Sequence, residues 1–216
     1  MLMTNGEIRE AIHSGQLKIQ PYDENRQQPC SYDARAGKEA LVSRNDSLVD
    51  LSKANSVTLQ PGDFALIMTY ESFGLPLNMA ANIGMKSGFA RRGLILLAGI
   101  QIDPGFDAHL RLGLYNSSGR PITIDYLDPI CTIEFHHLSK SVENGIGPFP
   151  DLKEGRIPES DKAYLRELET TSLSDLGKDM RSLTQSMHTL TTITYKVILP
   201  ALVAIFVGVL LSLVFK

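Results

Sequence analysis

Little in this 216-residue chain points to nucleic acid, disulfide scaffolding or export. Formal charge is -3 and Lys and Arg gather into no long block, so the electrostatic footprint of a duplex-binding protein is missing and no nucleic-acid partner is expected. Only two cysteines occur, Cys30 and Cys131, far apart and without metal-ligand spacing. Residues 1–8 hold no apolar run that would serve as a signal peptide, and a reducing cytosol is the compartment these absences predict. There is no internal repeat and no low-complexity segment. His136 and His137 are the one adjacent histidine pair, but neighbours on a strand point to opposite faces, so no metal site built from protein side chains is expected.

Apolar residues, by contrast, dominate the end of the chain. Residues 197–215 carry no charge and only Ser212 is markedly polar. As a helix this run covers roughly 28 Å, close to the hydrocarbon thickness of a bilayer, and predicts a single-pass C-terminal anchor. Lys196 and Lys216 flank it, so a cytoplasmic head rests mainly on the missing signal peptide. Just upstream, Leu173, Leu176, Met180, Leu183, Met187, Leu190, Thr194 and Val197 follow a three-four spacing. A stripe this narrow suits a coiled-coil seam over residues 172–196; a lone amphipathic helix lying on the head or on lipid is the alternative. Gly177 weakens the helix by about 1 kcal/mol relative to Ala.

Residues 1–150 read as a mainly β head. Residues 5–15 predict its one helix, capped by Thr4 or Asn5 and ended by Gly15. Strand-like runs follow at 17–19, 56–59, 64–70, 81–85, 93–102, 108–115, 121–126 and 130–136, separated by Pro-Gly, Asp-Pro-Gly and Asn-Ser-Ser-Gly turns. Many short strands at even spacing argue a sandwich or barrel. Residues 145–160, rich in Gly, Pro and charge, read as an irregular arm, and 151–171 as a linker to the stalk.

Four of the turns carry a resemblance. The run from Gln28 through Ser31-Tyr32-Asp33 to Gly37, the loop Lys86-Ser87-Gly88-Phe89-Ala90-Arg91, the turn Ile102-Asp103-Pro104-Gly105-Phe106 and Tyr115-Asn116-Ser117 resemble, in order and spacing, the dCTP deaminase and dUTPase superfamily. The resemblance covers residues 1–150. It implies a distorted β-barrel and a homotrimer with active sites between subunits, which would make the heptad stripe a three-stranded stalk. It also implies a pyrimidine deoxynucleotide ligand carried with Mg2+. By the same resemblance Lys86, Ser87, Gly88 and Arg91 cradle the triphosphate, and Ile102 and Phe106 support base and deoxyribose. Asp103 orients water as a general base, and Asp33 lies near the phosphates. Lys86 stands where an arginine is usual and keeps charge without the bidentate fork, so a solvated surface charge is the alternative. Asp33 can equally be a turn acid, and an ordinary Asp-Pro turn residue is the alternative for Asp103.

The chain also departs from the family. Ten residues beyond Asp103, where a dCTP deaminase carries its proton-shuttling glutamate, stands Gly113. Thr132 replaces a usual glutamine, and Ser141, Val142 and Gly145 stand where triphosphate-gripping residues precede Gly147-Pro148. Three functions remain open: an anchored enzyme that hydrolyses dUTP to dUMP and pyrophosphate, a non-catalytic nucleotide sensor signalling to its membrane segment, and a deaminase with a rearranged site.

Overall fold

The computed structural model describes residues 1–167 and 173–200, together with Gly208. Two compact units divide the chain, residues 1–170 and 171–216.

The first unit opens with α1 (Asn5–His13), capped by Thr4 in a reciprocal arrangement with Glu7 and followed by Gly15 at φ +75°. Its strands are β1 (Lys18–Gln20), β2 (Tyr32–Val42), β3 (Asn45–Asp50), β4 (Ser56–Leu59), β5 (Phe64–Gly74), β6 (Met79–Met85), β7 (Leu94–Leu96), β8 (Gln101–Ile102), β9 (Asp107–Asn116), β10 (Ile122–Asp125) and β11 (Pro129–His137). Between them lie α2 (Leu51–Ala54) and α3 (Ser87–Ala90). One curled antiparallel sheet runs β7-β9-β5-β2-β11-β6-β8, with β1 added to β5 and β3 to β2; β4 and β10 pair separately.

Two differences from the sequence expectation matter. β2, among the longest strands and near the sheet's centre, lies outside every predicted strand because Asp33, Arg35, Lys38 and Glu39 interrupt its apolar pattern. Asp33, Arg35 and Glu39 find partners instead. Arg35 donates from Nε to buried Glu71 Oε1 at 2.5 Å and from its backbone N–H to Glu71 Oε2 at 2.8 Å, and its guanidinium lies 4.8 Å from the centre of the Tyr70 ring. Burial alone would lower the Arg35 pKa, but the bond to Glu71 and its charge raise it; burial and Glu71 likewise push the Tyr32 phenol up. The register of β2 against β5 shifts between Ala36 and Ala40, and that of β5 against β9 between Met68 and Ser72, the bulge that carries Glu71. Gly37 allows the close crossing there, since a Cβ at that position would stand 2.6 Å from the Thr69 carbonyl oxygen.

The second difference lies in the arm. Residues 150–167 contain α4 (Pro150–Lys153) and α5 (Glu159–Glu167), so the expectation of an irregular arm leaving the β-core is corrected: the arm turns back. Ile157 and Leu165 form a second, small core with Leu41, Leu66 and Met68. The predicted strand 93–102 is also two short strands with a loop between them.

In the second unit α6 (Leu173–Ile193) continues into a π-helical turn, Thr194–Ile198. Met180, Leu183, Met187 and Leu190 are exposed along it. Among the described residues no helix is long and apolar enough to cross a membrane. From residue 201 onward the span expected at 197–215 falls outside the described residues, Gly208 excepted.

Candidate functional site

Residues 102–106 form a tight turn tied to the sheet on both sides. Ile102 pairs with Ala81 of β6, Gly105 N–H donates to Leu75 O, and Phe106 O accepts from Leu75 N–H. Gly105 sits at φ +83°, and a Cβ there would stand 2.6 Å from the Gly145 Cα, so glycine is required on both counts. Gly145 is equally constrained, 2.8 Å from the Gly105 Cα by the same construction. The position where a basic or polar phosphate-gripping residue would stand is therefore a packing glycine.

A cavity of about 220 Å³ opens beside this turn. Ile83, Ile102, Phe106, Leu110, Leu112, Ile146, Phe149 and Leu152 make it apolar; Gln101, Asp103 and Arg111 are its polar side chains. Phe106 is buried and packs against Phe149 of the arm at 5.6 Å between ring centres. Asp103 is half-buried, and Oδ1 accepts from Gln101 Nε2 at 2.5 Å. A second cavity of about 300 Å³ adjoins the first, sharing Ala98, Gly99 and Arg111, and includes Gly113, Asp161 and Tyr164.

Lys86, Ser87, Gly88 and Arg91 lie elsewhere on the subunit. Phe89 is buried and pins the loop, while Ser87, Gly88 and Arg91 are exposed. As the first turn of a helix, the loop leaves its leading N–H groups without intrahelical acceptors. Lys86 pairs with Asp33, which is buried and also accepts from Thr132 Oγ1 at 2.8 Å. Thr132 thus steadies Asp33. None of these residues lines the cavity at the turn. Along β6, Asn82 opposite Gln101 and Lys86 are separated by about 13 Å at a strand's rise per residue. The turn and the loop therefore stand at separate places on one subunit.

At Gly113 a Cβ would stand 2.6 Å from the Leu97 carbonyl oxygen, and Leu97 N–H donates to Gly113 O at 2.7 Å. The segment after β7 is packed onto the spot a glutamate side chain would leave from. The same face of β9 carries Asp107, His109 and Arg111, and the arm meets each of them. Lys153 Nζ donates to Asp107 Oδ2 at 2.8 Å and holds that carboxyl below its usual range. Gly155 lies against His109, and Asp161 pairs with Arg111. Sequence reasoning missed Gln101, Arg111, Phe149 and Asp161. Arg111 had a visible signal, an isolated cation in an otherwise apolar alternation. Asp161 had none, because nothing local shows that the arm folds back.

His136 Nε2 lies 3.3 Å from Asn82 Nδ2, and His137 bonds through its backbone to Met1. Tyr115-Asn116-Ser117 is architectural: buried Asn116 donates to Leu59 O and Arg120 O and accepts from Ser118 N–H.

A curled antiparallel sheet seating an Asp-Pro-Gly turn beside an apolar cavity is the architecture of a dCTP deaminase-like protein. Residues 2–138 match the family model described as dCTP deaminase-like, and the chain belongs to that family. A dCTP deaminase of Pyrococcus horikoshii is 36% identical over 67% of this chain and 87% of its own length. A dUMP-forming dCTP deaminase of Corynebacterium jeikeium is 34% identical over 76% of this chain and 98% of its own. Among solved structures, the 2'-deoxycytidine 5'-triphosphate deaminase of Agrobacterium tumefaciens matches with a TM-score of 0.54 at 23% identity, over 62% of this chain and 45% of that one, a likeness of fold alone.

Proposed function

We propose that this protein binds a pyrimidine deoxynucleoside triphosphate between copies of itself and hydrolyses dUTP to dUMP and pyrophosphate without deaminating dCTP. The observation that carries the reading is the contrast between two positions. Asp103 is retained at the mouth of a cavity of base-and-sugar size, while Gly113 is closed off by the Leu97 carbonyl. In the reaction Asp103 takes a proton from water as the water oxygen bonds to the α-phosphorus and the bond from that phosphorus to the bridging oxygen breaks. Phe106 packs on the sugar, and Ser87, Gly88 and Arg91 of a neighbouring copy bind the phosphates, with Lys86 and Asp33 behind them. Mg2+ comes with the triphosphate, because among the described residues no group of three His, Cys, Asp or Glu side chains could hold it alone. Copies associate as trimers, residues 172–196 forming a coiled-coil stalk and residues 197–215 a membrane anchor, with the head in the cytoplasm. The exposed stripe of Met180, Leu183, Met187 and Leu190 supports the stalk.

A second reading, a nucleotide sensor without turnover, is favoured by Gly145: the packing glycine offers no side chain to grip a triphosphate. Chromatographic product analysis of the full chain in detergent with Mg2+ and dUTP or dCTP separates the readings. dUMP and pyrophosphate from dUTP alone support the hydrolase. Any uracil product from dCTP overturns the exclusion of deamination, and saturable binding without product moves the assignment to the sensor.

A further inference from the structure

Arg111 belongs to both cavities, and the proposed function leaves it without a task. Its strand neighbours on the core side, Leu110 and Leu112, are buried, so the guanidinium is on the outer face of β9 with the arm. Asp161 engages Nη1, and among the described residues the rest of a five-donor fork meets no other protein acceptor. The Arg111 side chain is 39% exposed and that of Asp161 15%, so the pair stands at a cavity wall.

The position of Arg111 fixes which part of a nucleotide it meets, provided the pyrimidine nucleotide reading holds. Asp103 and Phe106 take the sugar, and the phosphates leave toward a loop that does not line this cavity. The volume of about 220 Å³ then leaves the Arg111 end for the base. A guanidinium donates and never accepts. A 4-oxo pyrimidine presents an acceptor at the edge where cytosine presents an amino donor. Gly113 offers no carboxylate to receive that amino group, and Gln101 gives one amide N–H to Asp103. We propose that Arg111 is a specificity-determining residue that selects a 4-oxo pyrimidine over a 4-amino one, held in place by Asp161 of the arm. Discrimination follows because a cytosine amino group facing the guanidinium sets donor against donor, where a 4-oxo group supplies the acceptor.

The test is the ratio of dUTP to dCTP affinity, measured by calorimetry on the full chain in detergent with Mg2+. The wild type should favour dUTP by about 10- to 100-fold, in line with one hydrogen bond to a charged group. R111Q, whose amide both donates and accepts, should bring the ratio close to unity. D161N removes the charge on the tether but leaves the guanidinium, so the preference for dUTP should survive. A structural role would weaken both nucleotides together and leave the ratio unchanged in R111Q; that result overturns the inference, as does a wild type that prefers dCTP or binds the two equally. Absence of binding by either nucleotide to the wild type overturns the nucleotide reading itself and the inference with it.

Discussion

The turn at Ile102–Phe106 and the loop at Lys86–Arg91 are built on opposite principles, though both end a β6 pairing. The turn is buried and over-determined: two glycines pack face to face, and Phe106 is covered by an aromatic from the arm. The loop is open, with its hydroxyl and Arg91 exposed and Phe89 alone sunk into the core. A shape-selective pocket needs the first kind of surface and a triphosphate that enters with its water and metal needs the second. Because one subunit keeps them apart, a nucleotide that used both would report on how copies meet.

Perturbations should therefore separate the two halves. D103N should have the largest effect, lowering dUTP turnover by about 10²- to 10⁴-fold with affinity little changed, read by steady-state kinetics beside calorimetry. R91A should act the other way, raising KM by roughly 10- to 100-fold through one lost charge-assisted contact and leaving kcat closer to wild type. Equal loss in kcat from both variants would break the contrast. G113A pushes a methyl group against the Leu97 carbonyl and should destabilise the head by about 1–3 kcal/mol in urea unfolding, with loosening beside the turn rather than the loop. K153A should cost least, under about 1 kcal/mol, because the partner carboxylate is 47% exposed. Asp107 has its pKa lowered in the folded chain, so this contribution is present above the unfolded value of about 3.9 and is lost as pH falls through the lower folded value. Wild type and K153A should accordingly converge in stability in acid, which pH-dependent urea titration checks.

Sequence alone reached the local features furthest. α1 was legible because Thr4 and Gly15 are cap chemistry written in nearby residues, to which the fold adds Glu7. The turn at 102–106 and the loop at 86–91 were legible as motifs. β2 was not, since its Asp33, Arg35 and Glu39 are satisfied by Lys86, Glu71 and the Ile157 N–H, partners distant in sequence. The arm was unreadable for the same reason: Ile157 and Leu165 have meaning only against Leu41, Leu66 and Met68. Gly113 read as an absent catalytic group, and its packing against Leu97 came only with the fold. That contact also changes what a G113E substitution would test, because the added side chain meets backbone before it meets any ligand.

The central claim is that the two half-sites work together only across copies, and mixing two defective chains tests it most directly. D103N and R91A, each nearly inactive on dUTP at low substrate, would be co-expressed and purified together. The account predicts dUTP turnover well above that of either variant alone, because some interfaces pair an intact turn with an intact loop. Turnover no greater than the average of the two would contradict it.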